Sequence, residues 1–168
     1  MKNINQLLAI FSTLMTTDGY PVARPVDPDV LANLINKSSP EDWDELKKTV
    51  YADIQRLMIN RPDYSEMFSV MDGLEYNGLT LYSVVQAENG QPLWSNIYIR
   101  NVEARDNQIY VDPNLADGVL IGEDGMSLFT YHLTEDCFQI LDKASTEYII
   151  ESHQDFSGFL SAIIDIVN

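Results

Sequence analysis

The hydrophobic residues of this chain change their spacing part-way along it, and that change limits the fold more than any single motif does. Ile4, Leu7, Leu8, Phe11, Leu14 and Met15 recur every three or four residues, the spacing of one helix face, until Gly19 and Pro21 stop the pattern. From Leu79 to Val84 the alternation instead has the period of two expected of a strand. The helical period returns at the end, where Asp155 caps a stretch carrying Phe156, Phe159, Leu160, Ile163, Ile164 and Val167 on one face. Helices at both ends around a run of neighbouring strands predict an α+β domain with a mainly antiparallel sheet.

The stretches between these anchors can be read from their stops. Asp27-Pro28 supplies a cap and a first-turn proline for a helix bearing Val30, Leu31, Leu34 and Ile35. Ser39-Pro40 with Asp42 repeats that device and predicts a longer helix along Trp43, Leu46, Val50, Ile54, Leu57 and Met58. Arg61-Pro62-Asp63 breaks it and opens a short helix through Met67, Phe68 and Met71, closed by Gly73. Asn77-Gly78 is a hairpin turn between Leu74-Glu75-Tyr76 and the strand from Leu79. Gly118 to Gly122 and Met126 to His132 flank a turn at Glu123-Asp124-Gly125, and Cys137 to Leu141 with Glu147 to Ile150 complete the strands. Ser95 to Arg105 suits a strand through Ile97, Ile99 and Val102, or a helix with Asn96, Asn101, Glu103 and Arg105 on a polar face; the balance leans to the helix. Neither a repeat nor a Gly/Ser/Pro linker divides residues 1–168, so one domain is expected.

Charge is the strongest functional signal. Twenty-six acids against ten bases give a formal charge of −16. Residues 103–168 hold thirteen Asp or Glu against only Arg105 and Lys143. A field of that sign repels nucleic acid and anionic membrane and steers a basic partner toward contact. The longest apolar stretches fall far short of the roughly 20 residues of a membrane-spanning helix, and the first residues do not resemble a signal peptide. The lone Cys137 has neither a disulfide partner nor metal-ligand spacing, which fits a reducing cytoplasm.

Chemistry is sought without success. His132, Glu135, Asp136 and Cys137 form the one local group of catalytic residue types, and they read more simply as a polar turn followed by a buried cysteine; a hydrolase would need His132 or Cys137 exposed in a pocket. His132 and His153 lack partners at zinc spacing, and Glu123-Asp124-Gly125 lacks the remaining oxygens of a calcium loop. No phosphate-binding glycine loop or nucleophile elbow occurs. Lys47-Lys48, the densest basic pair, reads as a solvated helix face, Trp43 as core, and Trp94 after Gly90-Gln91-Pro92 as a minor interface candidate. Neither catalysis nor a cofactor nor a metal is expected.

The run from Arg61 to Gly73, Arg61-Pro62-Asp63-Tyr64-Ser65-Glu66-Met67-Phe68-Ser69-Val70-Met71-Asp72-Gly73, resembles the opening of a SUKH domain, where a proline, an acidic-Tyr pair and a short helix lead into the first hairpin. Leu74 to Tyr82 is similar to that hairpin, Gly122-Glu123-Asp124-Gly125 to the glycine turn between central strands, and Glu151-Ser152 through Leu160 to the closing helix, so the likeness spans residues 40–165. Arg61 in place of a leucine before Pro62, and the extra helix at residues 4–15, depart from the pattern. The resemblance implies an α+β fold and, in bacteria, an immunity protein for polymorphic or contact-dependent toxins. A basic nuclease toxin would be masked by the acidic surface, because its phosphate-binding cleft attracts a negative decoy. The alternative is a scaffold or regulatory interaction module of the same fold. Contacts are expected at Glu123, Asp124, Glu135 and Asp136 in the turns and at Asp106, Asp112 and Asp117 in the loops, although each taken singly is an ordinary solvated acid.

Overall fold

A computed structural model describes residues 1–85, 96–106 and 110–168 of the chain. Helix α1 spans Ile4–Thr17, and Asn3 and Gln6 cap it reciprocally, each side chain accepting from the other's backbone N–H. Helix α2 spans Pro28–Asn36 behind Asp27, whose carboxylate accepts from the amides of Asp29 and Val30. The third helix, α3, spans Glu45–Asn60, and here the expected start is corrected. Ser39 and Asp42 do not cap it; the Trp43 amide closes a turn on the Pro40 carbonyl, and Asp44 takes the Lys47 amide at 2.8 Å. The cap therefore lies at Asp44 and not at the expected Ser39, which leaves Trp43 outside the helix. Half-buried, Trp43 stands edge-on to Tyr51 with ring centroids 5.7 Å apart.

Pro62 cannot continue α3, and α4 spans Pro62–Glu66 before a single 3-10 turn leads to Gly73. Gly73 sits at φ 76, where a Cβ would lie 2.7 Å from the Leu81 carbonyl oxygen, so only glycine fits this entry to the sheet. Strands β1 (Leu74–Tyr76) and β2 (Leu79–Leu81) follow, joined through Asn77 and Gly78 at φ 47 and 80. Helix α5 is Ile97–Arg105, which settles the ambiguous stretch, with Asn96 accepting from the amides of Tyr98 and Ile99. Then come β3 (Gly118–Glu123), β4 (Ser127–His132), β5 (Cys137–Asp142), β6 (Ile149–His153) and α6 (Phe156–Val167).

The six strands form one antiparallel sheet in chain order, β1-β2-β3-β4-β5-β6, with helices before and after it, as the periodicities imply. Val119, Tyr131 and Phe138 share a face by register, as do Phe129 and Ile140. That face meets α4 and α6 in an aromatic core: Phe129 packs edge-on to Phe159 at 5.5 Å and Tyr64 to Phe156 at 5.1 Å. Burying each ring contributes roughly 1.5–3 kcal/mol, and each favourable ring pair about 0.5–1.5 kcal/mol more.

Strand β3 is paired unevenly. Its last residues meet β2 through Glu123 and Gly122, opposite Thr80 and Leu81, while Gly118 to Leu120 extend beyond the end of β2. Helix α5 covers that exposed half. Buried Asn101 donates to the Leu120 carbonyl at 2.9 Å and accepts from the Leu120 amide at 2.8 Å, taking the place of a neighbouring strand. Arg105 donates to the Gly118 carbonyl at 3.0 Å and is ion-paired with Asp53 of α3 at 2.5 Å. Asn101 therefore lies inside the protein, off the polar helix face on which its spacing placed it.

Candidate partner-binding surface

The register splits the acids expected to meet a partner into two groups at opposite ends of the sheet. Gly118 pairs with His132 and Glu123 with Leu128, so Glu123 and Asp124 stand at one end of β3 and β4, and Asp117, Glu135 and Asp136 at the other. Strands of this length hold the ends roughly 20 Å apart, at about 3.3 Å per residue.

Glu123 is half-buried and already engaged. Its Oε2 accepts from the Tyr82 hydroxyl and from Arg100, both at 3.0 Å, and Lys143 stands 3.9 Å from its Oε1. Burial and the Glu123 charge hold the Tyr82 hydroxyl well above the usual phenol range, although the Arg100 charge pulls the other way. Asp124 turns the hairpin by accepting from the amides of Met126 and Ser127 at 2.8 and 2.6 Å. At the far end, Asp136 occupies a left-handed conformation at φ 51 and accepts from the Tyr131 hydroxyl at 2.5 Å. Burial, then the Asp136 carboxylate, push Tyr131 up to about 12. Glu135 and Asp117 are exposed, and Asp117 gives its carbonyl to the Leu133 amide. Asp112 caps the turn Pro113–Leu115 and accepts from the Thr146 hydroxyl at 2.5 Å, while exposed Asp106 ends α5. Several of the seven acids thus bear structure as well as charge.

The polar turn after β4 is built around these same residues. The Glu135 amide donates to Nδ1 of half-buried His132 at 3.1 Å, and Cys137, 1% exposed, receives the Ser152 hydroxyl at 3.5 Å. Cys137 is therefore buried, and His132 is engaged in the turn. Among the described residues, no three His, Cys, Asp or Glu side chains gather as they would to hold a metal ion, and no helix is long and apolar enough to cross a membrane. Trp94 lies outside the described residues.

Arg61, which replaces the expected leucine, is a hub that sequence spacing does not reveal. It is ion-paired with Asp63 at 3.1 Å and Asp136 at 3.4 Å, donates to the Gln154 carbonyl at 2.6 Å and lies 5.2 Å from the centre of the Phe138 ring. Burial alone would raise the Asp63 carboxyl, but Arg61 and the Phe156 amide outweigh it and hold that carboxyl below its usual range. Its partners at Asp136 and Gln154 are 75 and 93 residues away, too far for any local motif to announce.

No protein-family model matches the chain, and no solved structure matches it. It is similar to YrhA of Escherichia coli (strain K12), an uncharacterized protein. The two are 28% identical over 138 residues, covering 82% of this chain and 95% of YrhA. The shared stretch is most of both proteins.

Two surface features remain after these contacts are assigned. In residues 103–168 both bases are paired, Arg105 with Asp53 and Lys143 with Glu123, and Arg61 and Arg100 reach in from outside to Asp136, Glu103 and Glu123, which reduces the negative excess of this half without cancelling it. The second feature was not expected from the sequence. Among the described residues β6 is an edge strand, and Tyr148, Ile149 and Ile150 are exposed along it beside exposed Met126 and Ile166.

Proposed function

We propose that the chain is an immunity protein that binds and masks a basic toxin, of the nuclease class. One observation carries the reading: thirteen acids stand against two bases in residues 103–168, an excess that the pairing of Arg61 and Arg100 with Asp136, Glu103 and Glu123 reduces but does not cancel. A surface left so negative attracts the phosphate-binding cleft of a nuclease, raises the encounter rate and excludes the substrate that carries the same charge. The resemblance of residues 40–165 to SUKH domains supports the same role. Masking needs no catalytic group on this chain, which agrees with the buried Cys137 and the turn-bound His132.

The test is co-expression with the product of the gene immediately upstream. Rescue of growth and a co-purifying complex are expected, with affinity that falls as salt rises. Changing Asp117, Glu135 and Glu147 together to Lys should weaken that complex and flatten its salt dependence. Absence of toxicity and of a complex would leave the scaffold reading of the same fold.

A further inference from the structure

Ile149 and Ile150 open the outer strand of the sheet just after exposed Tyr148, and the register there skips a residue: Leu141 pairs with Ile149 and Ile140 with Glu151, leaving Ile150 as the extra residue of a bulge. An edge strand with exposed aliphatic side chains is a liability unless something covers it, and neighbouring elements bring more apolar surface to the same place. Met126, Ile140, Ile150, Ile166 and Val167 line an open groove of about 560 Å³ between the end of β4, the β6 edge and the last turn of α6. A second groove, of about 410 Å³, continues from it past Glu151 and Ile166 to Asp165 and His153. Their rim has an acidic excess, with Asp124 beside the first, Glu151 beside both and Asp165 beside the second, against Lys143 on the Asp124 carbonyl at 2.9 Å and His153 in the second.

We propose that this double groove is the anchoring site for an extended segment of the basic protein partner, one that seats an apolar side chain on Ile150 and Ile166 with Lys or Arg on either side. Charge selects this occupant. A second copy would bring another −16 to an acidic rim, and a nucleic acid or anionic membrane would be repelled by Asp124, Glu151 and Asp165. A cationic segment gains from that rim, while the floor rewards an apolar anchor that charge alone would not select. The inference rests on the basic-partner reading and adds to it a place, because the acids of the turns attract at long range and the groove holds at contact.

The probe is a synthetic peptide with Leu and Phe between pairs of Lys, titrated into the isotope-labelled full chain while its amide NMR signals are followed. Shifts are expected at residues 124–127, 150–151 and 161–167, and Ile166→Lys should weaken binding by roughly tenfold or more. The milder Ile150→Thr should weaken it as well, and neither exposed position threatens the fold. A control peptide with Ser in place of Leu and Phe should shift these signals far less. Equal binding of the control, unchanged binding by I166K, or no shifts in the groove would overturn the proposal. So would a dimer of the wild type in sedimentation that I166K dissolves, because the occupant would then be a second copy. Growth rescue separates the two readings: a toxin neutralised equally well by I166K and the wild type sinks the groove and spares the immunity role. A wild type that rescues nothing, yet takes the peptide in its groove, does the reverse.

Discussion

Two of the strand edges that neighbouring strands do not fully pair, the first half of β3 and the outer side of β6, are treated in opposite ways. Along the first half of β3, Asn101 reproduces the donor and acceptor of a missing strand, and Arg105 takes the Gly118 carbonyl. Along β6 nothing comparable is seen among the described residues; the edge carries a bulge, exposed isoleucines and acids. A buried unpaired amide costs about 1–3 kcal/mol, so an edge inside the protein must be satisfied from within. An edge facing water can be left for a partner. The contrast puts buried hydrogen bonding at the inner flank, and the proposed recognition would fall on the outer one.

Substitutions break this comparison in order of size. Asn101→Ala strands the Leu120 amide and carbonyl and should cost roughly 3–5 kcal/mol in urea denaturation, since several buried groups lose partners at once. A loss below about 1 kcal/mol would mean that water or a shifted helix replaces the side chain. Gly122→Ala comes next: a Cβ there would lie 2.3 Å from the Thr80 carbonyl oxygen, so β2 and β3 must separate, at roughly 1–3 kcal/mol, with protection of the Tyr82 amide from hydrogen exchange lost first.

The pH response sharpens the comparison with less disruption. Asp72, beside the inner flank, accepts from the Val84 amide at 2.8 Å, and burial raises its carboxyl above the usual range. A folded pKa above the unfolded one means that stability is greatest below the unfolded value and falls as pH rises through the folded value. Asp72→Asn keeps the acceptor and should remove that descending slope. Asp63, held low by Arg61, gives the opposite slope: its contribution is present above the unfolded carboxylate range and is lost as pH falls through its depressed folded value. Thermal melts of both Asn variants across the acid range check the two signs. The smallest effect on stability belongs to the outer flank, where Ile166→Lys should change the unfolding free energy by no more than about 0.5 kcal/mol. A large loss there would show that the edge is structural and not left for binding.

Much of the fold was legible from neighbouring residues, and the failures are local competitions or distant contacts. Asn77-Gly78 fixed its hairpin because the left-handed backbone it requires suits those two residues. The start of α3 lies beyond the expected cap at Ser39 because Asp44 is an equally good acceptor nearby, and the packing of Trp43 on Tyr51 accompanies it. Asn101 was placed on a solvated face because its partner, Leu120, is 19 residues away. The acids of the surface were legible as a total, but their separation to two ends of the sheet was not, since it follows from strand register. The apolar groove escaped for the same reason, as Met126, Ile150 and Ile166 belong to different elements.

By itself, then, the sequence determined what depends on near neighbours and on sums: helix and strand periods, most caps, the turns, the order of elements and the charge. The tertiary structure decided which backbone groups need a surrogate partner, where Arg61 meets the distant Asp136 and Gln154, and which aliphatic residues stay uncovered. Caps and periodicities act over a few residues along the chain, whereas a hydrogen bond such as that of Arg61 to Gln154 exists only after segments 93 residues apart have packed.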